Sequence, residues 1–294
     1  MKRIALLVLV ALAGCPAPKP GVPTRVVRDL EGREVSVPVE VRRVVSIVPS
    51  VTELTFAAGA GDLVVGDTTY CDYPPEAKDR PKVGDIRVNY EAVVALKPDL
   101  VVSSHDLAAR SNEQLRGLGL PVLCVDPKSI AEIGTAIRLL GDVTRRAEVA
   151  EKSAKDFETR VAEILRRVRN VERRPTVYIE ATSQPHAAAP GMTADEIIRL
   201  AGGTNIITES YAGKWIPISW ELVLSRDPEF IVVAHNYAPH PRERPGWEGL
   251  RAVKSGRVFD WDKSHFMYPT PRLARGLELL AKELHPECFH ASDR

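Results

Sequence analysis

The feature that most constrains this chain is a segment that occurs twice. Residues 90–102 (YEAVVALKPDLVV) align without a gap to residues 220–232 (WELVLSRDPEFIV). In both copies an aromatic residue precedes a glutamate, a proline follows seven residues after that glutamate, and an acidic residue and an apolar strand-like run come next. A fainter match pairs residues 49–52 (PSVT) with residues 190–193 (PGMT). The repeat predicts two similar halves that contain the same helix-then-strand unit.

Short apolar runs alternate with helical patterns in both halves. The runs lie at 44–48, 64–65, 100–103, 122–125, 176–179, 230–233 and 257–259, and the first half has helical patterns at 51–60, 89–96 and 107–118. A hairpin is predicted at 26–37, before the first of these runs. Strands that alternate with helices form parallel sheets covered by helices. The predicted fold class is therefore α/β, with two lobes that each hold a mostly parallel sheet flanked by helices.

A long helical pattern at about 144–171 separates the two halves. Its apolar positions step by three and four residues along one face, at Ala154, Phe157, Val161, Ile164 and Val168. At 1.5 Å per residue such a helix is about 40 Å long. We expect it to join the lobes as a single stiff rod that permits little bending between them.

The first residues have the pattern of an export signal. Lys2 and Arg3 precede an apolar run at 4–13, which ends in a Leu-Ala-Gly-Cys box at Cys15. This pattern predicts a signal peptide removed before Cys15, lipidation of Cys15 and anchoring to a membrane outside the cytoplasm; the alternative is an ordinary secretory signal with a chance cysteine. The expected segments are a signal peptide at 1–14, a proline-rich tether at 15–23, an N-terminal lobe at 24–143, a linking helix at 144–174 and a C-terminal lobe at 175–294.

Charge and cysteine content exclude some functions and leave others open. The 294 residues contain 40 Lys and Arg against 39 Asp and Glu, a balance that argues against a nucleic-acid-binding protein. Three cysteines follow the signal, Cys71, Cys124 and Cys288, so one disulfide and one free thiol are possible. Their spacing matches no zinc site. Cys124 lies in an apolar run and is expected to be a buried thiol.

Two histidines occupy equivalent positions in the repeat. His105 and His235 each lie seven residues after the repeat's proline, just beyond a predicted strand. Two like lobes that face each other form one cleft, with ligand-binding groups at the carboxyl ends of the strands. We therefore expect both histidines at the cleft rim; the alternative for each is a solvated loop residue.

Several motifs resemble one family. The pieces are 43–54 (RVVSIVPSVTEL), Gly66, 70–75 (YCDYPP), Glu91 and 95–101 (ALKPDLV). Together they resemble the periplasmic substrate-binding proteins of bacterial ABC importers that carry corrinoids, haem and ferric siderophores. The resemblance covers about residues 24–285 and is strongest in the first half. The YCDYPP piece favours the corrinoid branch, so the implied ligand is cobalamin or another corrinoid, and no resident cofactor is implied.

The resemblance implies a ligand site walled by aromatic rings from both lobes. Tyr70 and Trp215 match two of the family's aromatic positions, whereas Ile86 and its neighbours stand where a third would be. Ser264, His265 and Phe266 occupy a further binding stretch, in which only Phe266 matches. A histidine among His265, His105 and His235 could supply an axial nitrogen to cobalt or to haem iron, and a Tyr70 ligand to haem iron is a further alternative.

The resemblance also implies partners. Glu91 and Glu221 are expected to dock a single, monomeric copy onto a two-fold symmetric permease that works with ATPase subunits; the alternative is two solvated carboxylates at helix starts. No Gly-x-Ser-x-Gly, phosphate-binding glycine loop or His-Glu-x-x-His motif occurs, so we predict a binding protein and not an enzyme. A haem or ferric-siderophore carrier is the alternative reading, and a secreted metal-dependent enzyme is the second.

Overall fold

The computed structural model describes residues 21–182, 186–209, 215–235 and 239–289, and at residues 215 and 216 it describes the backbone alone. The first half contains β1 (Thr24–Arg28), β2 (Glu34–Pro38), β3 (Val44–Ser46), α1 (Pro49–Ala57), β4 (Val64–Gly66), α2 (Tyr90–Ala95), β5 (Leu100–Ser103), α3 (His105–Gly117), β6 (Val122–Cys124) and α4 (Ile130–Val143). Helix α5 (Ala147–Val168) follows. The predicted hairpin is confirmed, since β1 and β2 pair antiparallel.

The second half repeats this alternation. It contains β7 (Thr176–Glu180), β8 (His186–Ala188), α6 (Thr193–Leu200), β9 (Thr204–Asn205), β10 (Trp215–Pro217), α7 (Trp220–Arg226), β11 (Phe230–Val233), α8 (Arg251–Lys254), β12 (Val258–Asp260), α9 (Ser264–Met267) and α10 (Leu273–Leu284). The antiparallel pair of β8 and β10 was not predicted. None of the helices in the described ranges is long and apolar enough to cross a bilayer.

The two main sheets have the same topology. The first lobe's sheet has the order β4-β3-β5-β6, and the second lobe's sheet has the order β12-β11-β7-β9. Both sheets are parallel throughout. If the strands of each lobe are numbered along the chain, both orders read 2-1-3-4, and the strands of the sequence repeat, β5 and β11, hold the same third position. The predicted α/β fold of two like lobes is confirmed.

The repeated segment has the same local structure in both lobes. Side chains cap the helix before the strand in each copy, because Asn89 accepts a hydrogen bond from the third residue of α2 and Ser219 does the same for α7. Both helices end in a residue with positive φ, +47° at Lys97 and +40° at Asp227. The chain therefore reverses in the same way before entering β5 and β11.

Helix α5 links the lobes. The five apolar positions predicted for its buried face are all buried. It packs against α4 of the first lobe and α10 of the second. Its 22 residues make a rod of about 33 Å, shorter than predicted because the helix spans Ala147–Val168, three residues less at each end than the predicted 144–171. Because one helix connects the lobes and packs its buried face against both of them, the connection has few places where the chain can bend.

Candidate functional site

The sheet topology places one crevice at the carboxyl edge of each sheet. In the first lobe the chain leaves the adjacent strands β3 and β5 in opposite directions, and in the second lobe it leaves β7 and β11 in opposite directions. In open α/β sheets, ligands bind outside the carboxyl ends of the strands at such a switch point. Residues that directly follow these strands are therefore the first candidates for a binding site.

Three large apolar side chains are exposed at this edge of the first lobe. Tyr70 is 56% exposed, Ile86 is 84% exposed and Leu107 is 78% exposed. The loops that carry Tyr70 and Ile86 are joined, since the Thr69 amide donates to the Gly84 carbonyl at 2.9 Å. Leu107 follows β5 at the same carboxyl edge, and large apolar side chains exposed to solvent mark a surface on which a ligand or partner can bind. We call Tyr70, Ile86 and Leu107 the apolar rim.

The sequence did not single out Leu107. It lies in a turn that protrudes from the start of α3, because Ala108 breaks the helix with φ −132° and ψ 20°. The Leu107 amide donates to the Ser104 hydroxyl at 3.2 Å, which fixes the turn. The signal was present in the sequence, since Ser104 is a good N-cap and an exposed leucine next to a cap has no core to fill.

His105 opens the same turn and is exposed, which fits both a rim residue and a solvated loop residue. Its amide donates to the carboxylate of Asp126, and its Nδ1 lies 3.3 Å from Asp106 Oδ1. The pKa of Asp106 is lowered, first by the hydrogen bond from Lys128 and then by that from His105. The imidazole therefore has a free edge that could approach a ligand.

A buried ion pair holds the loop that carries Tyr70. Asp67 has no exposed surface, and Lys82 Nζ donates to its Oδ1 at 2.7 Å and to the Ala77 carbonyl at 2.9 Å. The second carboxylate oxygen, Oδ2, is buried without a hydrogen-bond partner. Burial outweighs the charge of Lys82 and raises the pKa of Asp67 to about 6. This carboxyl group sits at the start of the loop and fixes its base.

Cys71, Cys124 and Cys288, the cysteines within the described ranges, are free thiols, so no disulfide forms among them. Cys71 is buried, and its Sγ lies 3.1 Å from Oγ1 of Thr52 and 3.2 Å from Oγ1 of Thr68. Cys124 is buried as predicted, and burial raises its pKa to about 11. Both thiols are therefore protonated packing groups.

His235 departs from the prediction for the second lobe. It follows β11 as expected, but it is buried, and its Nε2 lies 2.7 Å from Glu180 Oε1 at the end of β7. Arg244 donates to both oxygens of Glu180 at 2.6 Å, and its guanidinium lies 4.9 Å from the ring centroid of Trp220 and 4.6 Å from that of Trp247. This cluster fixes the ends of the two central strands, so His235 supports the site from within and is not a rim residue.

The predicted 264–266 stretch forms α9 and is also largely inside. Phe266 is 0% exposed and stacks on Trp261 with centroids 5.6 Å apart. Ser264 is buried, and its Oγ has no hydrogen-bond partner. These two side chains cannot touch a ligand in this structure, because Trp261 and the core cover them. The prediction that Phe266 grips the ligand directly is therefore corrected to a packing role beneath the site.

His265 is half-buried and remains a candidate. Its Nδ1 is buried without a partner. Its pKa is lowered, mainly by burial, and the charges of Arg272, Arg275 and Arg160 lower it further against an opposing contribution from Asp262. The imidazole is therefore neutral near pH 7, the form in which a ring nitrogen can bind a metal. Within the described ranges, no three His, Cys, Asp or Glu side chains are grouped to hold a metal ion.

Two predicted residues cannot be placed. Cys15 lies outside the described residues. Trp215 belongs to β10, where its backbone pairs with Ala188 of β8, but its side chain lies outside the described part of the structure.

The lobes touch through a charged contact. Arg272, just before α10, donates from Nε and Nη2 to Glu53 of α1 at 2.9 and 2.5 Å. Its guanidinium also lies 4.0 Å from the ring centroid of Tyr73. A second contact joins the lobes where the Ile130 amide donates to Glu196 at 2.8 Å. These contacts connect elements on both sides of α5 and set the distance between the lobes.

A groove of about 730 Å³ runs along this seam. Both lobes and α5 line it, through residues that include Glu53, Phe56, Tyr73, Arg160, Arg272 and Arg275. Two aromatic residues line this groove, Phe56 of α1 and Tyr73, which lies three residues after Tyr70 in the same loop.

Glu91 and Glu221 occupy matched positions on the surface. Each lies in the first turn of its helix, α2 or α7, and each is exposed. The pKa of Glu221 is lowered, first by a hydrogen bond from its own backbone amide and then by Ser219. Both side chains are accessible to a partner.

The comparisons with known proteins agree with this architecture. A family model described as a periplasmic binding protein matches residues 44–265. An uncharacterized ABC transporter substrate-binding lipoprotein of Bacillus subtilis is 32% identical over 97% of this chain and 96% of its own length. A vitamin B12-binding protein of Pectobacterium atrosepticum is 32% identical over 83% of this chain and 88% of its own. The structure of the periplasmic vitamin B12 binding protein of Vibrio cholerae superimposes with a TM-score of 0.76, at 27% identity, over 84% of this chain and 97% of that one.

Proposed function

The chain belongs to the periplasmic binding protein family of ABC importers, and from that premise we propose that it captures a corrinoid, cobalamin in the first place, between its two lobes. The observation that carries the proposal is the apolar rim, which presents large side chains to solvent at the switch point of the first sheet. A corrin is a broad, mostly apolar macrocycle and would cover such a rim. Relatives that match most of this chain are named vitamin B12-binding proteins.

Binding is tested by titration calorimetry with cyanocobalamin and cobinamide. Burying Tyr70 or Leu107 against a macrocycle is worth about 1.5 to 3 kcal/mol, so Tyr70→Ala and Leu107→Ala are each expected to weaken binding at least tenfold. Leu118→Ala is the control, because Leu118 is also exposed but lies at the far end of α3. Wild-type affinity in both rim variants would refute the role of the rim.

A ferric ligand is the second candidate, and His105 favours it. Its imidazole is exposed beside the apolar rim and could supply an axial nitrogen to haem iron. Haem bound through histidine gives a Soret band that shifts when the axial ligand is removed. A haem complex whose Soret band shifts in this way in His105→Ala, together with no measurable affinity for corrinoids, would replace the corrinoid assignment with this one. A ferric siderophore is tested in the same titrations.

Delivery is proposed to use Glu91 and Glu221. Family members work with a permease and an ATPase, and a monomer with one carboxylate on each lobe would fit the two-fold symmetry of a permease dimer. Exposed charge-assisted contacts mainly orient the partner and speed association. In reconstituted vesicles, Glu91→Ala with Glu221→Ala should abolish stimulated transport and leave ligand affinity unchanged. Exposed Glu113 and Glu172, changed together, provide the control; transport by the Glu91 and Glu221 double variant at the control rate would refute docking.

We also propose that the protein is lipid-anchored through Cys15, outside the cytoplasm. The support is the Leu-Ala-Gly-Cys box and the name lipoprotein carried by the Bacillus subtilis relative. Mass spectrometry of the purified mature chain tests this: two or more acyl chains on an N-terminal cysteine are expected, and an unmodified cysteine would refute the anchor.

A further inference from the structure

One end of the second lobe is strongly basic, and the proposed transport function does not use it. Residues 166–174 contain five arginines and a single carboxylate, Glu172. Arg166, Arg169, Arg173 and Arg174 are exposed, whereas Arg167 pairs with Glu163 at 2.8 Å. This segment comprises the last turn of α5 and the chain that leads into β7.

The fold adds three more cations to this end. Arg251 and Lys254 lie on α8, and Arg257 directly precedes β12. Strands β7 and β12 both flank β11, so their starts are about 10 Å apart. Glu229 joins the two groups, because it pairs with Arg173 and lies 4.0 Å from Arg251 Nη1. The cations therefore form one continuous surface at the amino edge of the second sheet.

We define the basic end as the seven exposed cations Arg166, Arg169, Arg173, Arg174, Arg251, Lys254 and Arg257. Three carboxylates lie among these seven cations: Glu172, Asp227 and Glu229. The basic end therefore has an excess of four positive charges. The whole chain has a net charge of only +1, so this excess is concentrated and not typical of the surface. Arg166, Arg169 and Lys254 form no ion pair with any of the described residues, although carboxylates are abundant elsewhere on the molecule.

We propose that the basic end binds the anionic headgroups of phospholipids and holds the second lobe against the membrane. Guanidinium groups bind phosphate oxygens in a bidentate manner, and Arg166 and Arg169 are three residues apart on one helix face, so they can contact a planar surface together. Basic residues near an anionic bilayer each add about fivefold to partitioning. The chain's own lipid anchor, on which this proposal rests, would keep the domain within reach of such a surface.

The position of the basic end supports a membrane partner over the ligand or the permease. It lies at the amino edge of the sheet, whereas ligand-binding residues follow the carboxyl ends of the strands. The carboxylate proposed for permease docking, Glu221, begins α7, and the basic end lies beyond the other end of that helix. Lipid contact would therefore leave the ligand-binding edge open to solvent, and the domain would have to leave this contact and turn before Glu221 docks on a permease in the same membrane.

The test uses residues 15–294 with Cys15→Ala, so that binding cannot arise from acylation. The protein is sedimented with phosphatidylcholine vesicles and with vesicles containing one quarter phosphatidylglycerol. Binding to the anionic vesicles alone, lost in 0.5 M salt, is expected. Arg166→Gln with Arg169→Gln should lower the partition coefficient about 25-fold, from the factor of about five for each arginine.

Lys152→Gln with Lys155→Gln is the matched control, because it removes the same charge from the same helix at residues that pair with Asp156 and Glu151. Equal loss in both double variants, or equal binding to neutral and anionic vesicles, would overturn the proposal. Two separate measurements distinguish failure of this proposal from failure of the proposed function. The acyl mass on wild-type Cys15 tests the lipid anchor, and calorimetry of the same variants tests ligand capture.

Discussion

Asp67 provides the sharpest quantitative prediction, because a buried carboxyl group with a raised pKa makes stability depend on pH. Its pKa is about 6 in the folded protein against an ordinary value of 3.8. Each unit of difference corresponds to 1.36 kcal/mol, so the ionised group destabilises the fold by about 3 kcal/mol relative to the protonated one. No correction for solvent screening applies, since the side chain has no exposed surface.

The sign follows from which state binds the proton more tightly. Below about pH 3.8 the group is protonated in both states, and its favourable contribution to stability is fully present. As the pH rises toward about 6 the unfolded chain releases the proton first, and the contribution is lost. Above that range the group is ionised in both states, and its contribution no longer changes. The free energy of unfolding should therefore fall between about pH 4 and pH 6.

Asp67→Asn removes this titration and keeps the shape of the side chain. The amide oxygen can still accept from Lys82, which also keeps its bond to the Ala77 carbonyl. The stability of wild type minus that of the variant, measured by urea denaturation from pH 4 to pH 7.5, should fall by about 2.5 kcal/mol and then stay constant, because part of the total is already lost at pH 4. Asp72→Asn, at an exposed position of the same loop, is the control. A wild-type–variant difference that does not change with pH would refute the reasoning.

Two further substitutions test packing at the seam and beneath the site. Glu53→Gln breaks the ion pair between the lobes and should lower the free energy of unfolding by about 2 kcal/mol, less than for a fully buried pair because the arginine side chain is 20% exposed. Calorimetry should show a melting temperature lower by several degrees. Glu76→Gln, which lines the same groove, is the control and should not lower it. Gly276→Ala would place a Cβ 2.0 Å from the His265 carbonyl oxygen and should destabilise the fold by about 1 to 3 kcal/mol in urea. Gly117→Ala, with nothing within 4 Å of its added Cβ, should be neutral or stabilising, and an equal loss in both glycine variants would contradict the steric argument.

The parts of the fold that sequence predicted are those with strong periodicity. The runs at β5 and β11 were predicted to the residue, because a short, fully buried strand is an unbroken apolar run. The face of α5 was predicted because its apolar spacing matches a helix. Helix α4 was not predicted, although Ser129 caps it and its isoleucines and leucines are spaced by three and four residues.

The site was harder to predict, because burial at the end of a strand depends on partners distant in sequence. His105 and His235 are equivalent in the repeat, yet one is exposed and the other is covered by Glu180 and Arg244, residues that no local pattern connects to it. Phe266 matched the family by residue type, but Trp261 stacks on it and seals it into the core. Sequence spacing therefore located the edges of the site, and tertiary contacts decided which side chains face out.

The visible absorption spectrum of the protein, purified after growth with cobalamin, haem and ferric siderophore all supplied, tests the central claim most directly. We expect the bands of a bound corrinoid in near-stoichiometric amount, lost together with the ligand in Tyr70→Ala. A Soret band, a siderophore charge-transfer band or a colourless protein would contradict the assignment of a corrinoid to this site.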